Sequence, residues 1–319
     1  MNAVVLREVG GDLALEEWEE PSGVVVDVRA AGVNFLDVQQ RSGGYRMRTP
    51  FGMGNEGAGV VSGVAPDVDG VRVGDRVAWA MLPGGYAEQV VLPVDRLVPV
   101  PDAVDDETAA AVLLQGLTAH YLTRSTYAVR PGDDVLVHAA AGGTGGLVVQ
   151  MARLAGGRVI GTASTDEKAD LARESGADEV LLSGADDLAD RVRALTGDEG
   201  VHVAYDGVGG PTFDVSRSSL RRRGMLVLFG LAGGPVPPLD PQALLRGSLF
   251  LTRPGLVDHI ATREELLGRA ADVFAAVADG RLRVRIGGRY PLTEAHRAHA
   301  DLQSRRTTGK LLVLPGAAG

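Results

Sequence analysis

Two stretches of the chain carry residue types whose spacing suits a phosphorylated cofactor. In Val135-Leu136-Val137-His138-Ala139-Ala140-Ala141-Gly142-Gly143-Thr144-Gly145-Gly146-Leu147 an apolar run ends, a glycine-rich turn follows, and a helix-like run begins. Glycine permits tight dihedrals and lets the backbone approach a pyrophosphate, and a helix N-terminus offers free N–H groups and partial positive charge. The pattern departs from strict G-x-G-x-x-G, because Ala140 stands where its first glycine would be, and taken alone it also fits a plain strand-to-helix connection. About twenty residues on, Gly161-Thr162-Ala163-Ser164-Thr165-Asp166-Glu167-Lys168 closes a second apolar run. NAD sites place Asp or Glu at this strand end to hold the ribose 2′-hydroxyl. Here Ser164 and Thr165 occupy the position and Lys168 follows, and hydroxyls with an ammonium suit a 2′-phosphate. The expected cofactor is NADPH, with Gly142, Gly143, Thr144 and Gly145 at the pyrophosphate and Ser164 and Lys168 at the 2′-phosphate. If the strand ends later, Asp166 or Glu167 takes the NAD-type role, Lys168 is a solvated helix residue and Ser164 only a cap.

The elements that must position these turns read as an alternating series. Strands are expected over 134–139, 158–163, 179–182, 201–206, 224–229 and 249–252. Helices are expected over 145–154, 166–174 (capped by Thr165 or Ser164) and 186–196. Short apolar strands alternating with helices predict a doubly wound parallel sheet covered on both faces. A helix over 107–122 precedes the series. The first hundred or so residues, punctuated by Gly and Pro, read instead as short strands and turns, among them 24–30, 57–64 and 71–78. After a helix over 262–279, β character returns at 283–286 and 310–314 around a helix over 294–303, so the tail is expected to rejoin the first domain. The fold class is therefore α/β: a β-rich domain over 1–113 and 283–319, and a parallel-sheet cofactor domain over 114–282. The basic run Arg221-Arg222-Arg223 reads as a solvated helix end before the fifth strand.

Bulk properties narrow the function classes. A chain of 319 residues favours two domains. The net charge of −9 argues against a nucleic-acid binder and against docking on anionic membranes. No cysteine is present, which removes disulfides, thiolate nucleophiles and Cys-ligated zinc together. No signal-peptide pattern or long apolar run is read, and a cytoplasmic location is expected by default.

Several separated segments together resemble one family, the zinc-free quinone oxidoreductases of the medium-chain dehydrogenase/reductase type. Ala31-Gly32-Val33-Asn34-Phe35-Leu36-Asp37 resembles the segment beside the nicotinamide, and Arg41-Ser42-Gly43-Gly44-Tyr45 follows at the usual distance. Gly54-Asn55-Glu56-Gly57-Ala58-Gly59-Val60-Val61, the turn Gly74-Asp75-Arg76-Val77 and Leu114-Gln115-Gly116-Leu117-Thr118-Ala119 also match. So do the turn from His138 to Gly145, Tyr205-Asp206-Gly207-Val208-Gly209, Thr252-Arg253-Pro254 and Ser304-Arg305. The resemblance implies a GroES-like catalytic domain split across the termini around a Rossmann domain, commonly as a homodimer. It places Asn34 and Tyr45 at the cofactor or substrate and the backbone around Val208, Phe229 and Gly230 at the carboxamide. Arg253 and Arg305 complete the anionic pocket. The expected catalytic set is Asn34, Tyr45 and Gln115, although Asn34 also reads as a buried turn residue and Gln115 as a packing residue. Gln39 and Ser183 depart from the family, which often has tyrosines near these positions.

Zinc alcohol dehydrogenases of this fold carry a Cys near the position of Asn34 and a His where Asn55 stands. Both are asparagine here, and His296 and His299, the one close histidine pair, read as part of a surface helix. No metal is expected. Without a Lewis acid the substrate should already be electrophilic: a quinone, which hydride converts to a hydroquinone anion, or an α,β-unsaturated carbonyl, which gives an enolate. The expected function is NADPH-dependent quinone reduction. The alternatives are an enone or enoyl reductase, and a non-enzymatic NADPH-binding protein like the zeta-crystallins.

Overall fold

The computed structural model describes residues 1–17, 23–45 and 47–316, and these form two compact units. The first comprises Met1–Leu117 with Ile260–Gly319, and the second Thr118–His259. The helix over Arg263–Ala278 thus goes with the first unit, whereas the division read from the sequence, at 282, gives it to the second.

In chain order the first unit supplies β1 (Asn2–Leu6), β2 (Leu13–Glu17), β3 (Val24–Val33), α1 (Phe35–Ser42), β4 (Phe51–Gly52), β5 (Glu56–Val64), β6 (Arg76–Ala80), β7 (Gln89–Val91) and β8 (Val98–Pro99). The helix α2 (Asp106–Tyr121) follows. The second unit contains β9 (Asp134–Val137), α3 (Gly143–Leu154), β10 (Arg158–Ala163), α4 (Asp166–Glu174), β11 (Glu179–Leu182), α5 (Leu188–Leu195), β12 (Val201–Asp206), α6 (Phe213–Ser218), β13 (Leu220–Leu228), β14 (Phe250–Thr252) and α7 (Leu256–His259). The chain then returns to the first unit as α8 (Arg263–Ala278), β15 (Ile286–Pro291), α9 (Ala295–Gln303) and β16 (Lys310–Leu314).

The first unit is built on β3. Its first half alternates buried valines with half-exposed residues, as one covered sheet face requires, and its last four residues are all buried. It lies antiparallel to both β5 and β16 in a sheet ordered β15-β16-β3-β5-β6-β8. The C-terminal strand therefore completes the N-terminal sheet. Trp79, Tyr86, Leu6, Val26 and Val313 fill the core beneath it.

The second unit is a six-stranded parallel sheet ordered β11-β10-β9-β12-β13-β14. Strand order reverses between β9 and β12, so the crevice at the carboxyl end of β9 is the expected ligand position of such a sheet. Val135, Leu136 and Val137 of β9 are fully buried.

Three local readings need correction. Arg221, Arg222 and Arg223 do not end a helix but begin β13, whose exposed first half tolerates charge; Arg221 contacts the His202 ring on β12. The strand expected over 283–286 starts only at Ile286, because Gly287 and Gly288 hide its β character and β16 pairs with it through Pro291. His299 is fully buried and not on a solvent face. Thr165, and not Ser164, caps α4, accepting the backbone N–H of Lys168 at 3.3 Å. Among the described residues no helix is long and apolar enough to cross a membrane.

Truncating Leu136→Ala at the centre of the parallel sheet should destabilise the second unit by about 2–5 kcal/mol. Urea denaturation followed by a probe in that unit checks this.

Candidate active site

The first unit gathers a buried set of polar side chains at the junction of β3 and α1. Asn34 N-caps α1, and its backbone N–H donates to Asp37 Oδ2 at 2.7 Å, an acid at the third helical position holding the cap. The Asn34 amide is wholly engaged. Its Nδ2 donates to Glu56 Oε1 at 2.8 Å and to the Gly32 carbonyl at 3.2 Å. Its Oδ1 accepts from Gln115 Nε2 at 2.5 Å and from Lys310 Nζ at 2.9 Å. Two acceptors on one side and two donors on the other fix the amide's direction. Lys310 is also ion-paired with Glu56, whose Oε2 accepts the Leu114 backbone N–H at 3.1 Å. Lys310 is 3% exposed and Glu56 fully buried, so each charge depends on the other.

A second layer lies behind. Asp37 Oδ1 accepts from Asn55 Nδ2 at 2.5 Å, and Asn55 forms a paired amide contact with Gln40. Tyr86 donates its hydroxyl to Asp37 Oδ2 at 2.9 Å and lies 3.3 Å from His299 Nε2. Burial pushes the Asp37 carboxyl up to about 6, against the opposing hydrogen bonds from Asn55, Asn34 and Tyr86 and the charge of Lys310. Burial lowers His299 to about 4, helped by the charge of Arg41. Tyr86 is raised well above its ordinary range by burial and by Asp37.

Asn34 and Gln115 are thus brought together as expected, but Tyr45 is not. It sits beyond α1, about half exposed, and its hydroxyl bonds no protein group among the described residues. Gln115 is oriented by Asn34: with Nε2 directed there, its Oε1 is the buried amide oxygen left without a partner. Glu56 was legible only as part of a family motif, and Lys310 was missed. A compositional signal was there to be used, since among 32 Lys and Arg residues only Lys168 and Lys310 are lysine.

In the second unit a glycine-rich turn leads from β9 into α3. Gly142 precedes α3 in extended conformation, and the first helical bond runs from Gly146 N–H to Gly142 C=O, so the N–H groups of Gly143, Thr144 and Gly145 lie ahead of the helix's own ladder. Ala139 takes a left-handed φ of 50°, a conformation that costs a non-glycine residue about 1–2 kcal/mol, and turns its carbonyl inward. A Cβ at Gly145 would collide with that carbonyl. The first turn of α3 carries no acid, while those of α2, α4 and α8 each carry two. An anion-free, glycine-lined N-terminus fits a pyrophosphate. Ser164 is exposed at the end of β10 with its hydroxyl uncommitted to protein, and Lys168 is half-buried one helical turn on. That set fits a 2′-phosphate. Ser183 is used otherwise, its hydroxyl donating to Ala163 C=O at 3.1 Å.

Asp206, at the end of β12, organises the next turn. Its carboxylate accepts from the backbone of Val208 and Gly209 and from Thr212 and Ser216, all at 2.8–2.9 Å. Val208 is consequently engaged by both backbone groups, because its C=O accepts from Gly233 N–H at 2.7 Å. Phe229 and Gly230 direct their N–H groups to Asp206 C=O, leaving carbonyls as their free backbone groups. Arg253 is exposed, with Nη1 3.4 Å from Pro254 C=O. Arg305, in the first unit, is exposed with φ at 57°.

Comparison with known proteins matches residues 20–102 to the alcohol dehydrogenase GroES-like domain and 143–267 to the zinc-binding dehydrogenase family. A quinone oxidoreductase of Pseudomonas aeruginosa is 45% identical over 92% of both chains. The chain belongs to the quinone oxidoreductases of the medium-chain dehydrogenase/reductase family. A mycobacterial protein solved in complex with NADPH superposes with a TM-score of 0.95 at 46% identity, covering 99% of this chain and 100% of that one. A 2-haloacrylate reductase of Burkholderia is 39% identical over 99% of both chains. Among the described residues no three His, Asp or Glu side chains gather as a metal would need. Asn34 and Asn55 are neutral amides engaged by other side chains.

Asp37 and His299 should pull stability in opposite directions with pH. The raised Asp37 favours folding below about pH 4, and that contribution is lost as pH rises through about 6. The depressed His299 contributes fully above about 6.5, and its contribution is lost as pH falls through about 4. Relative to wild type, Asp37→Asn should therefore gain stability as pH rises from 4 to 6. His299→Gln should gain as pH falls from 6.5 to 4. Denaturant midpoints across pH 4–7 read both slopes.

Proposed function

We propose that this protein is an NADPH-dependent reductase that delivers hydride to quinones without a metal. The observation that carries the reading is the likeness to quinone oxidoreductases over nearly the whole chain, an Escherichia coli one solved in complex with NADPH among them, in a chain where Asn34 and Asn55 are engaged amides. NADPH, when bound, supplies the hydride. The chain supplies the rest. Gly142, Gly143, Thr144 and Gly145 take the pyrophosphate on N–H groups and a bare backbone. Ser164 and Lys168 take the 2′-phosphate, and Arg253 adds positive charge. The turn stiffened by Asp206 presents the Phe229 and Gly230 carbonyls, suited to the two hydrogens of a carboxamide. The acceptor side rests on Asn34 and Gln115. Asn34 has no free valence with which to touch a reactant, so its part is to hold Gln115 in place, and Tyr45, exposed beyond α1, is taken as a contact. With no fixed Lewis acid, the acceptor must itself be electron-poor.

The likeness to a 2-haloacrylate reductase supports a second reading, reduction of an activated C=C bond by the same hydride geometry. A panel of quinones, enones and haloacrylates, assayed with NADPH and NADH, separates the two. Rapid NADPH turnover on quinones and little with NADH is the expected result. Turnover confined to activated alkenes would favour the second reading, and NADPH binding without turnover on any acceptor would sink both.

The reading includes a homodimer. β14 is the edge of the parallel sheet, paired only with β13, and Leu245, Phe250, Leu251 and Val257 around it are exposed. An unpaired edge flanked by apolar side chains invites a second copy to continue the sheet across a two-fold axis. Sedimentation should give the mass of two chains, falling to one in Leu251→Lys.

A further inference from the structure

The Lys310–Glu56 pair joins a residue of the Gly54–Val61 segment to a lysine that no sequence motif marks. Lys310 begins β16, Glu56 begins β5, and β3 runs between these strands. Their side chains meet over β3 at Gly32. A Cβ there would overlap the Glu56 carboxylate and come within 2.6 Å of Lys310 Cε, so the glycine is what lets the two charges reach each other. Both are buried, and neither ends in solvent. In a chain with only two lysines, one stands here.

The pair's charges are asymmetric toward Asn34. The carboxylate accepts its Nδ2 hydrogen and the ammonium donates to its Oδ1. Amide oxygen and nitrogen are similar in size, so packing alone distinguishes the two orientations poorly; a cation on one side and an anion on the other distinguish them sharply. The direction is passed on, because Asn34 Oδ1 accepts from Gln115 Nε2 and thereby decides which end of Gln115 faces away.

We infer that Lys310 is a positioning residue of the reduction centre: paired with Glu56 over Gly32, it sets the direction of the Asn34 and Gln115 amides. It touches neither cofactor nor acceptor. The inference rests on the proposed reductase function for its kinetic consequence, but not for its structural one.

The test is Glu56→Gln with Lys310→Met in one protein. Removing either charge alone strands the other and risks the fold, whereas removing both leaves a neutral amide and an apolar side chain of similar length. Two readouts are taken on wild type and the double variant. The first is the side-chain amide NMR signals of Asn34 and Gln115. The second is kcat and KM on the best acceptor, beside NADPH affinity from cofactor fluorescence. The expected result is an unchanged melting profile, Asn34 and Gln115 amide signals that lose their dispersion, and kcat lower by about tenfold to a hundredfold, as misplacement near a reacting centre produces. NADPH affinity should move by less than about twofold, since no cofactor contact is assigned to the pair. Wild-type kcat in a folded double variant, or amide signals that do not move, overturns the inference. If wild type turns over no acceptor, the proposed function fails, and the amide signals alone decide whether the pair orients the cluster.

Discussion

A buried ion pair joins the two ends of this chain. Lys310 comes from the last strand and Glu56 from the fifth, and neither charge can be left alone in the interior without a penalty of several kcal/mol. The pairing is possible only if β16 lies beside β3, if β5 lies on its other side, and if the residue crossed is glycine. One electrostatic requirement thus specifies a register, a strand order and a side-chain deletion together. It also gives a physical reason for the C-terminal segment to return to the N-terminal sheet. Hydrophobic strands such as 310–314 could pair with many edges; a strand that starts with a buried ammonium has one place where that ammonium is satisfied.

Glycine and anion logic govern the second unit in the same way. The turn after β9 holds Ala139 in a left-handed conformation, and its inward carbonyl excludes any side chain at Gly145. Strain at one residue and deletion of a side chain at another leave a helix start with bare donors. At the end of β12 the solution is opposite. Asp206 is buried without a cation and is satisfied by four neutral donors, which lock the following turn. One end presents donors to solvent, the other consumes them. Both make a rigid backbone edge, and rigidity at the carboxyl ends of parallel strands is what dinucleotide recognition requires.

Much of this was legible in the sequence because it is written in local periodicity. The strands at 158–163, 179–182 and 201–206 and the helix at 166–174 have apolar spacing and caps that fix their limits, and they appear at those limits. The glycine turn was legible for the same reason. Where local signals conflict with tertiary ones, the reading slipped. Arg221 to Arg223 look like a helix end by charge, yet they lie within β13, between Leu220 and Met225, where the register with β12 shifts. Gly287 and Gly288 look like a loop, yet β16 pairs across them. His299 looks like a surface residue on a polar helix, yet Tyr86 lies against it in the core. In the candidate site, Asn34 and Gln115 were found through family likeness, but their division of labour was not. Which amide is saturated and which has an atom to offer depends on Glu56 and Lys310, and these lie 22 and 276 positions from Asn34.

That distance bears on how a cofactor-dependent reductase can dispense with a metal. A metal performs two tasks in such a site: it polarises the substrate, and it holds its own ligands rigid. The first can be handed to the substrate, if the substrate is electron-poor. The second cannot, because hydride transfer is sensitive to placement whatever the acceptor. Asparagines at positions 34 and 55 would be floppy replacements for ligated side chains if each stood alone. Here each is gripped on both faces, Asn55 by Asp37 and Gln40, Asn34 by Glu56, Lys310 and Gln115. The cluster keeps a fixed cation and a fixed anion beside Asn34 and leaves Gln115 Oε1 uncommitted, so the geometry is imposed by hydrogen bonds and the atom left to offer is an amide oxygen.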